Sequence, residues 1–234
     1  MSATTTLSDS VQVQSVQGIQ FSDKTASQAA RTLGNRKIAF WSGASVSVDL
    51  AGAVLTNATA YGQYEGAFRL NFKNKYFPLI ELGLGKANHT DESTNLHYQT
   101  SAPYFRLGMD YNVKKDRRSK NRVFVGGRYG FSSFEYDLSG PDLIDPNWGT
   151  TTPFNFTNLK GNTHWGELVF GLEAQIWKFI HLGWSIRHRR RFYEKQSPVG
   201  RAWYIPGYGR SGSSSSTWGG TFNLTFDLSS SYKK

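Results

Sequence analysis

The chain has 234 residues, with 27 Lys and Arg against 17 Asp and Glu, and therefore a formal net charge of +10. It contains no Cys, which excludes disulfide scaffolds, Cys-based zinc sites and thiol chemistry. No apolar run approaches the ~20 residues that a transmembrane helix needs, so a helical membrane protein is excluded. The positive charge suits nucleic acid, anionic lipid or an acidic partner, and does not distinguish among them.

The first 37 residues are rich in Ser, Thr and Gln and poor in large apolar side chains, a composition typical of a flexible segment. One short helix is compatible with 25–33, where Thr25 would be the N-cap and Gly34 the C-terminal stop. No secretion signal follows Met1, so either the protein is cytosolic or a signal was removed before this numbering begins.

From Ile38 onward, apolar and polar residues alternate with a period of two. Because successive side chains of a strand point to opposite faces, each such segment has one apolar face. The sequence thus predicts eight strands within 38–228, followed by a short tail at 229–234. The eight segments are 40–50, 63–72, 76–85, 105–113, 123–131, 167–176, 180–189 and 217–228.

The predicted connections alternate between short and long. Those at 73–75, at 114–122 and around Lys178 are short, whereas longer ones fall at 51–61, 87–102, 138–163 and 193–215. Strands of ~9–11 residues, with short turns at one end and long loops at the other, are typical of outer-membrane barrels. We therefore expect an all-β fold, an eight-stranded antiparallel up-and-down transmembrane β-barrel with a flexible N-terminal segment.

A soluble barrel of the lipocalin type would show the same alternation, with its apolar face turned inward. The polar residues favour the membrane protein, because every Lys lies in a turn, a loop or a terminal segment. Aromatic residues near predicted strand ends also suit the interfacial girdles of a membrane barrel. These residues are Trp41, Tyr61, Tyr76, Tyr104, Trp177 and Trp218.

The polar faces of the predicted strands carry six carboxylates and six arginines, whose charges cancel. Eight strands enclose an interior that side chains fill, and buried charges must be paired. We therefore predict a structural ion-pair network in the lumen rather than a path for ions or protons. Its members are Asp49, Glu65, Arg69, Glu81, Arg106, Asp110, Arg128, Glu167, Glu173, Arg187, Arg189 and Arg191.

The five His residues do not form a catalytic or metal-binding pattern in the sequence. His188 and Ser185 are an odd number of positions apart, so they lie on opposite faces of a strand. His89 and His97 flank Asp91 and Glu92 without a spacing typical of metal sites. We expect no enzyme activity, catalytic residue, cofactor or metal; the alternative is a lipid-A-modifying enzyme.

Most of the net positive charge falls on the short-turn side, which predicts a basic collar at the periplasmic edge. It would meet anionic headgroups or an acidic periplasmic partner. Nucleic acid is not expected, because the aromatic residues are committed to lipid. The predicted anionic-lipid contacts, which also include one outward arginine near the opposite rim, are Lys114, Lys115, Arg117, Arg118, Lys120, Arg122 and Arg190.

The last long loop combines aromatic residues with glycine. Such a segment is typical of an ordered protein contact, or of a loop that folds over the mouth of its own barrel. The candidate partner contacts are Trp203, Tyr204, Pro206, Gly207 and Tyr208.

Several segments carry a family likeness, namely Val48-Asp49-Leu50, Tyr129-Gly130-Phe131, 165–178, 182–185 and 204–209. With them, the chain over about 38–228 resembles a family of small outer-membrane β-barrels of Bacteroidota, classed as a domain of unknown function. The resemblance implies an integral outer-membrane location in a Gram-negative bacterium and a cleaved signal. It also implies a role as a structural or accessory subunit of larger machinery, such as barrel-assembly or SusC/SusD-type complexes. The expected partners are outer-membrane lipid, lipopolysaccharide and other subunits of such a complex.

Overall fold

The structure is a computed structural model that describes residues 39–117, 119–195 and 197–228. The predicted flexible segment 1–37, the helix at 25–33 and the tail at 229–234 lie outside these ranges.

Strands dominate the described chain, and the prediction of an all-β protein with eight long antiparallel strands is confirmed. Four further strands form two small hairpins, β6 with β7 and β10 with β11. The strands are β1 Trp41–Asp49, β2 Tyr61–Phe72, β3 Tyr76–Thr90, β4 His97–Asn112, β5 Arg122–Ser139, β6 Leu143–Ile144, β7 Thr151–Thr152, β8 Asn155–Gln175, β9 Ile180–Lys195, β10 Tyr204–Ile205, β11 Gly209–Arg210 and β12 Ser216–Asp227.

The eight long strands form one sheet in the order β1-β12-β9-β8-β5-β4-β3-β2. The sheet closes on itself because β1 pairs with both β2 and β12. Val46, for example, lies opposite Phe68 on one side and Phe226 on the other. Each long strand is therefore bordered by the long strands that precede and follow it, except at the closure between β1 and β12.

The two faces of this sheet are buried in the reverse of the usual sense. Side chains on the inner face are mostly polar and buried, whereas large apolar side chains on the outer face are exposed. Glu81 is 3% exposed, and its neighbour Leu82, on the other face, is 60% exposed. The alternation in the sequence thus corresponds to a polar interior and an apolar exterior.

Several strands extend further than predicted at the long-loop end. β3 continues to Thr90, β4 begins at His97, and β5 and β8 remain paired as far as Ser139 and Asn155. The predicted loops at 87–102 and 138–163 are therefore wrong over much of their length. Outer-face positions of these extensions, such as Asn88 and Gln99, are polar, so the alternation that identified the strands fades there.

A helix, α1 Leu50–Ala58, follows β1 directly where a loop was expected, and Leu50 is its first residue rather than the end of a strand. Asp49 caps it, because its carboxylate accepts a hydrogen bond from Ala51 N at 3.1 Å. Within the described ranges, no helix is long and apolar enough to cross a membrane.

Aromatic residues fill the interior at the long-loop end. The cluster includes Tyr98, Tyr104, Phe134, Tyr136, Trp165, Tyr204, Ile205 and Tyr208. Tyr104 was expected in an outer girdle, but its parity on β4 points it inward, where it is 3% exposed. The inner face thus changes from charged in the middle of the barrel to aromatic near the mouth.

Candidate functional site

The centre of the lumen is organised around the carboxylate of Glu81 on β3. Arg187 Nη1 lies 2.8 Å from Glu81 Oε2, and Arg106 Nη1 lies 3.1 Å from the same oxygen. Arg128 Nε lies 3.1 Å from the second oxygen, Oε1. Three guanidinium groups from three different strands therefore share one buried carboxylate.

Two further carboxylates extend this arrangement toward the mouth. Glu65 pairs with Arg106 and, at 3.3 Å, with Arg187. The hydroxyl of Tyr104 donates to Glu65 Oε2 at 2.6 Å. Glu167 Oε1 lies 2.8 Å from Arg106 Nε. The positive charges here are thus divided among shared carboxylates.

Glu167 also contacts two groups nearer the mouth. Trp165 Nε1 donates to Glu167 Oε1 at 2.7 Å. Arg189 Nε lies 3.4 Å from the same oxygen. Trp165 is fully buried, so its indole N–H depends on this carboxylate for a partner.

The network continues toward the short turns through Asp110 and Glu173. Arg128 Nη1 lies 2.7 Å from Asp110 Oδ1, and Arg69 Nη2 lies 3.6 Å from Asp110 Oδ2. Arg69 Nη1 then lies 2.6 Å from Glu173 Oε2. Ion pairs therefore connect the middle of the lumen with its turn end.

Three members of the network at the turn end were not predicted. Arg122 Nη1 lies 2.7 Å from Glu173 Oε1, and Arg122 Nη2 lies 3.7 Å from Asp227 Oδ2. His181 Nε2 lies 3.0 Å from the same oxygen of Asp227. Strand alternation could have identified two of them. Arg122 is an even number of positions from the inward-facing Arg128, and Asp227 is an even number from the inward-facing Thr225.

Two predicted members lie in the lumen but bond differently. Asp49 is buried, and besides capping α1 it accepts a hydrogen bond from Phe222 N at 3.2 Å. Arg191 lies at the mouth, where its Nε is 3.3 Å from Glu194 Oε2 and its Nη1 donates to Ser211 at 2.7 Å. The network of lumen carboxylates and arginines is therefore built from the other ten predicted residues together with Arg122, His181 and Asp227.

Little space remains beside these side chains. A cavity in the middle of the lumen, bordered by Ser47, Glu65, Arg69, Glu81 and Arg187 among others, has a volume of about 10 Å³. That volume holds roughly one water molecule at most. The interior at this level is filled by side chains and does not form an open channel.

The loop between β9 and β12 closes the mouth from inside. Arg106 Nη2 donates to the carbonyl of Gly207, and Arg189 Nη1 donates to that of Tyr208 at 2.8 Å. The hydroxyl of Tyr204 donates to Gly62 O at 2.9 Å. Burial raises the pKa of Tyr204 to about 12, so this phenol is neutral in ordinary buffers.

This arrangement corrects the predicted partner contact. Tyr204, Pro206, Gly207 and Tyr208 are buried in the mouth of their own barrel, so they do not offer their surfaces to another protein. Gly207 has φ +79, and an added Cβ would overlap Tyr104, so this close approach requires glycine.

The fifth predicted contact, Trp203, is half-buried at the rim. Its ring stacks on His89, with centroids 4.3 Å apart, and the guanidinium of Arg210 lies 5.2 Å from its centroid. Part of Trp203 thus remains accessible, in contrast to the four residues that follow it.

The predicted lipid-contacting cations differ in their exposure and their partners. Arg190, Lys115 and Lys120 are exposed, and Arg117 is partly exposed. Lys114 donates to Ser119 Oγ at 2.5 Å. The prediction that Arg122 contacts lipid is wrong, because its guanidinium is paired inside the barrel. Arg118 lies outside the described residues.

Two imidazoles contact a hydroxyl group. His97 Nδ1 lies 2.9 Å from Thr90 Oγ1, and His164 Nδ1 lies 2.5 Å from the hydroxyl of Tyr129. Neither imidazole has a carboxylate within ion-pair distance in the part of the chain that the structure describes. Within those same residues, no group of three or more His, Asp and Glu side chains could hold a metal ion.

A protein-family model described as a domain of unknown function (DUF6048) matches residues 3–233. The chain therefore belongs to this family. No curated protein and no solved structure matches it.

Proposed function

We propose that this protein is an integral outer-membrane β-barrel that acts as a non-enzymatic structural or accessory subunit of a larger complex. The observation that carries the proposal is the reversed burial of its two faces. Large apolar groups such as Leu82, Met109 and Leu168 are more than half exposed on the outer face, whereas ionised groups fill the interior. Exposed apolar surface of this extent is typical of contact with lipid or protein.

The hydrogen bonding of the backbone supports the same location. A bilayer core offers no water to unpaired N–H and C=O groups, so strands cross it only as closed sheets. Barrels of this kind belong to the outer membranes of Gram-negative bacteria. The sequence resemblance adds the Bacteroidota as the source.

The filled lumen supports a structural role. A pore needs a continuous aqueous path, and the arrangement around Glu81 leaves room for roughly one water molecule at most. The resemblance suggests barrel-assembly or SusC/SusD-type machinery as the larger complex. In this proposal the outer apolar face and the rims carry the contacts with lipid and with neighbouring subunits.

Exposed cations would position the barrel against anionic headgroups. Lys115 and Lys120 lie in the turn between β4 and β5, and Arg190 lies on the outer face near the opposite end of the barrel. Cations at a membrane surface attract anionic lipid over about a Debye length. In this proposal the turn meets the periplasmic leaflet, and Arg190 meets lipopolysaccharide phosphates.

The experiment is purification of the tagged protein from its own membranes in a gentle detergent. The barrel fold predicts that unheated and boiled samples migrate differently on a gel. The accessory role predicts that stoichiometric outer-membrane subunits remain bound through a second, size-separating step. Full solubility without detergent would defeat the membrane location, and recovery of the barrel alone would defeat the accessory role.

The second candidate is a lipid-A-modifying enzyme, and the contact between Thr90 and His97 favours it. A hydroxyl hydrogen-bonded to an imidazole is the first half of a nucleophile–base pair. Mass spectrometry of lipid A from cells with and without the protein distinguishes the two functions. A changed acyl pattern that disappears in the variant His97→Gln would replace the accessory role by the enzyme.

A further inference from the structure

The barrel wall has a gap in its strand pairing next to α1. β1 ends at Asp49, which lies opposite Asn223, and its pairing with β2 ends where Val48 faces Gly66. In the register of the described sheet, 61–65 of β2 and 216–222 of β12 therefore have a strand partner on one side only. α1 lies in this gap and contacts both strands.

The helix fits β2 closely. A Cβ added to Gly52 would lie 2.6 Å from Gln63 O, and a Cβ added to Gly62 would overlap the backbone of Thr56. These two glycines therefore permit close contact between the helix and the strand. The helix and β2 are therefore in close contact on this side of the gap.

The gap holds a cavity of about 250 Å³, bordered by residues of α1, β2 and β12. Leu55 and Trp218 line it and are also exposed on the outer surface, whereas Arg189, Tyr204 and Tyr208 line it from inside the mouth. Gly219 and Gly220 of β12 contribute backbone without side chains. The cavity therefore lies between Arg189 inside the mouth and the apolar exterior.

We propose that this cavity binds the anionic end of a single-chain amphiphile, a carboxylate or a phosphate. The first carbon atoms of its chain would leave between Leu55 and Trp218 onto the outer apolar face. The inference rests on the proposed membrane location, which supplies both the amphiphile and an apolar surrounding for the rest of the chain.

Arg189 is the group that recognises the anion. Its side chain is 8% exposed, and Nε makes no hydrogen bond to any described residue. Its one carboxylate neighbour, Glu167, lies 3.4 Å away and is closer to Arg106, at 2.8 Å. The charge of Arg189 is therefore incompletely compensated, and an anion in the cavity would be a charge-assisted acceptor.

The remaining polar lining is consistent with this ligand. Arg210 adds a second, exposed cation at the edge of the cavity. Asp49 also lines it, but its Oδ1 accepts hydrogen bonds from the backbone N–H groups of Ala51 and Phe222. The cavity is about 25 times larger than the space at the centre of the lumen, so it can hold a headgroup and the first carbon atoms of a chain.

The test uses three photoreactive ten-carbon probes, a carboxylic acid, an alkyl phosphate and an alcohol, each with a diazirine in the chain. The protein is held in a neutral detergent, irradiated, and analysed by peptide mass spectrometry. We expect the two anionic probes to label the neighbourhood of Leu55 and Trp218. We expect about tenfold less labelling there by the alcohol, which lacks the charge that Arg189 would bind.

Two variants and two matched controls locate the site. Arg189→Gln keeps a donor for Tyr208 O but removes the charge, and it should lower anionic labelling about tenfold. Gly220→Leu should block the opening, and its Cβ fits, because its nearest neighbour is 3.5 Å away. Lys160→Gln removes an exposed charge elsewhere, and Gly66→Leu adds an outward side chain on β2, so both should label like the unaltered protein.

Each result has a defined meaning. Stronger labelling by the acid assigns a fatty-acid carboxylate, and stronger labelling by the phosphate assigns a single-chain amphiphile with a phosphate headgroup. Labelling spread over the outer face, or equal for all three probes, would overturn the inference. If Arg189→Gln does not fold, Arg210→Gln and Gly220→Leu replace it in the test. Both should lower labelling by the anionic probes, and unchanged labelling in both would overturn the inference. The gel shift on heating, measured on the same samples, tests the membrane barrel separately.

Discussion

The two ends of the barrel are closed by different chemistry. At the turn end, Arg122, His181 and Asp227 belong to the barrel strands themselves and pair with one another and with Glu173. At the mouth, a separate loop inserts its backbone, and the carbonyls of Gly207 and Tyr208 accept hydrogen bonds from lumen arginines.

The turn end is therefore closed by the same ion pairs that balance its charges, whereas the mouth is closed by the neutral backbone carbonyl groups of a loop. The turn end cannot open without breaking ion pairs between strands, whereas the mouth loop can leave without disturbing a single pair in the eight-stranded register. Neutral carbonyl groups also leave the positive charge of Arg189 only partly compensated. We therefore expect the mouth loop to open locally at a lower free-energy cost than the charged centre.

The largest expected effect comes from Glu81→Gln at the charged centre. It leaves three buried guanidinium groups without a shared counter-charge, which should lower the free energy of unfolding by about 3–5 kcal/mol. Urea titration in detergent micelles, followed by the gel shift on heating, measures the loss. The control is Glu135→Gln, whose exposed pair with Lys160 spans 3.7 Å and is worth about 0–1 kcal/mol. Equal effects of the two substitutions would contradict a rigid charged centre.

A substitution in the mouth should act locally. Ile205→Ala removes a fully buried side chain, so the loop should lose about 2–5 kcal/mol of local stability. Limited proteolysis should cut within 197–215 faster, while the gel shift of the barrel persists. Ile144→Ala, in an exposed hairpin, is the control and should change neither measurement. Loss of the gel shift in the Ile205 variant would show that loop and barrel are not separable.

The smallest effect is a pH dependence confined to the mouth. The pKa of Tyr204 is raised from 10.0 to about 12. Between these values the phenol is neutral in the folded loop and ionised in the opened loop. Its contribution to stability is complete below pH 10 and is lost as the pH rises toward 12. Proteolysis of the loop should therefore accelerate in this range, and less steeply in Tyr204→Phe. Tyr64→Phe, on the outer face, is the control. Identical pH profiles for all three proteins would remove this role of Tyr204.

The middle of each long strand was predictable because burial there imposes a strict alternation. Charges such as Glu81, Arg128 and Arg187 fall on the face opposite the apolar residues, so parity placed them together on one face. The position of every Lys outside the predicted strands then favoured the interior for that face. The same parity puts Asp227 on the polar face of the predicted segment 217–228, and it would have put Arg122 there had the segment 123–131 begun one residue earlier.

The rest depended on information that alternation does not carry. Beyond about Ala87 the outer face becomes polar, while the inner face carries aromatic residues such as Tyr98, Phe134 and Tyr136. The alternation with an apolar outer face therefore does not continue into the ends of β3, β4, β5 and β8. α1 is nine residues long and follows a strand directly, and its capping residue, Asp49, also fitted the strand pattern. The insertion of Tyr204 and Tyr208 depends on the space left at the mouth, a three-dimensional quantity.

The unequal lengths of the strands give the barrel a front and a back. β8 has 21 residues and β1 has nine, a difference of about 40 Å measured along a strand. In a bilayer, the barrel wall beside α1 would end close to the membrane, while β5 and β8 would extend further beyond it on the opposite side. A neighbouring molecule in the plane of the membrane would therefore contact a short wall on the α1 side and a tall wall on the β5–β8 side. Contacts with other subunits would then depend on which side they approach.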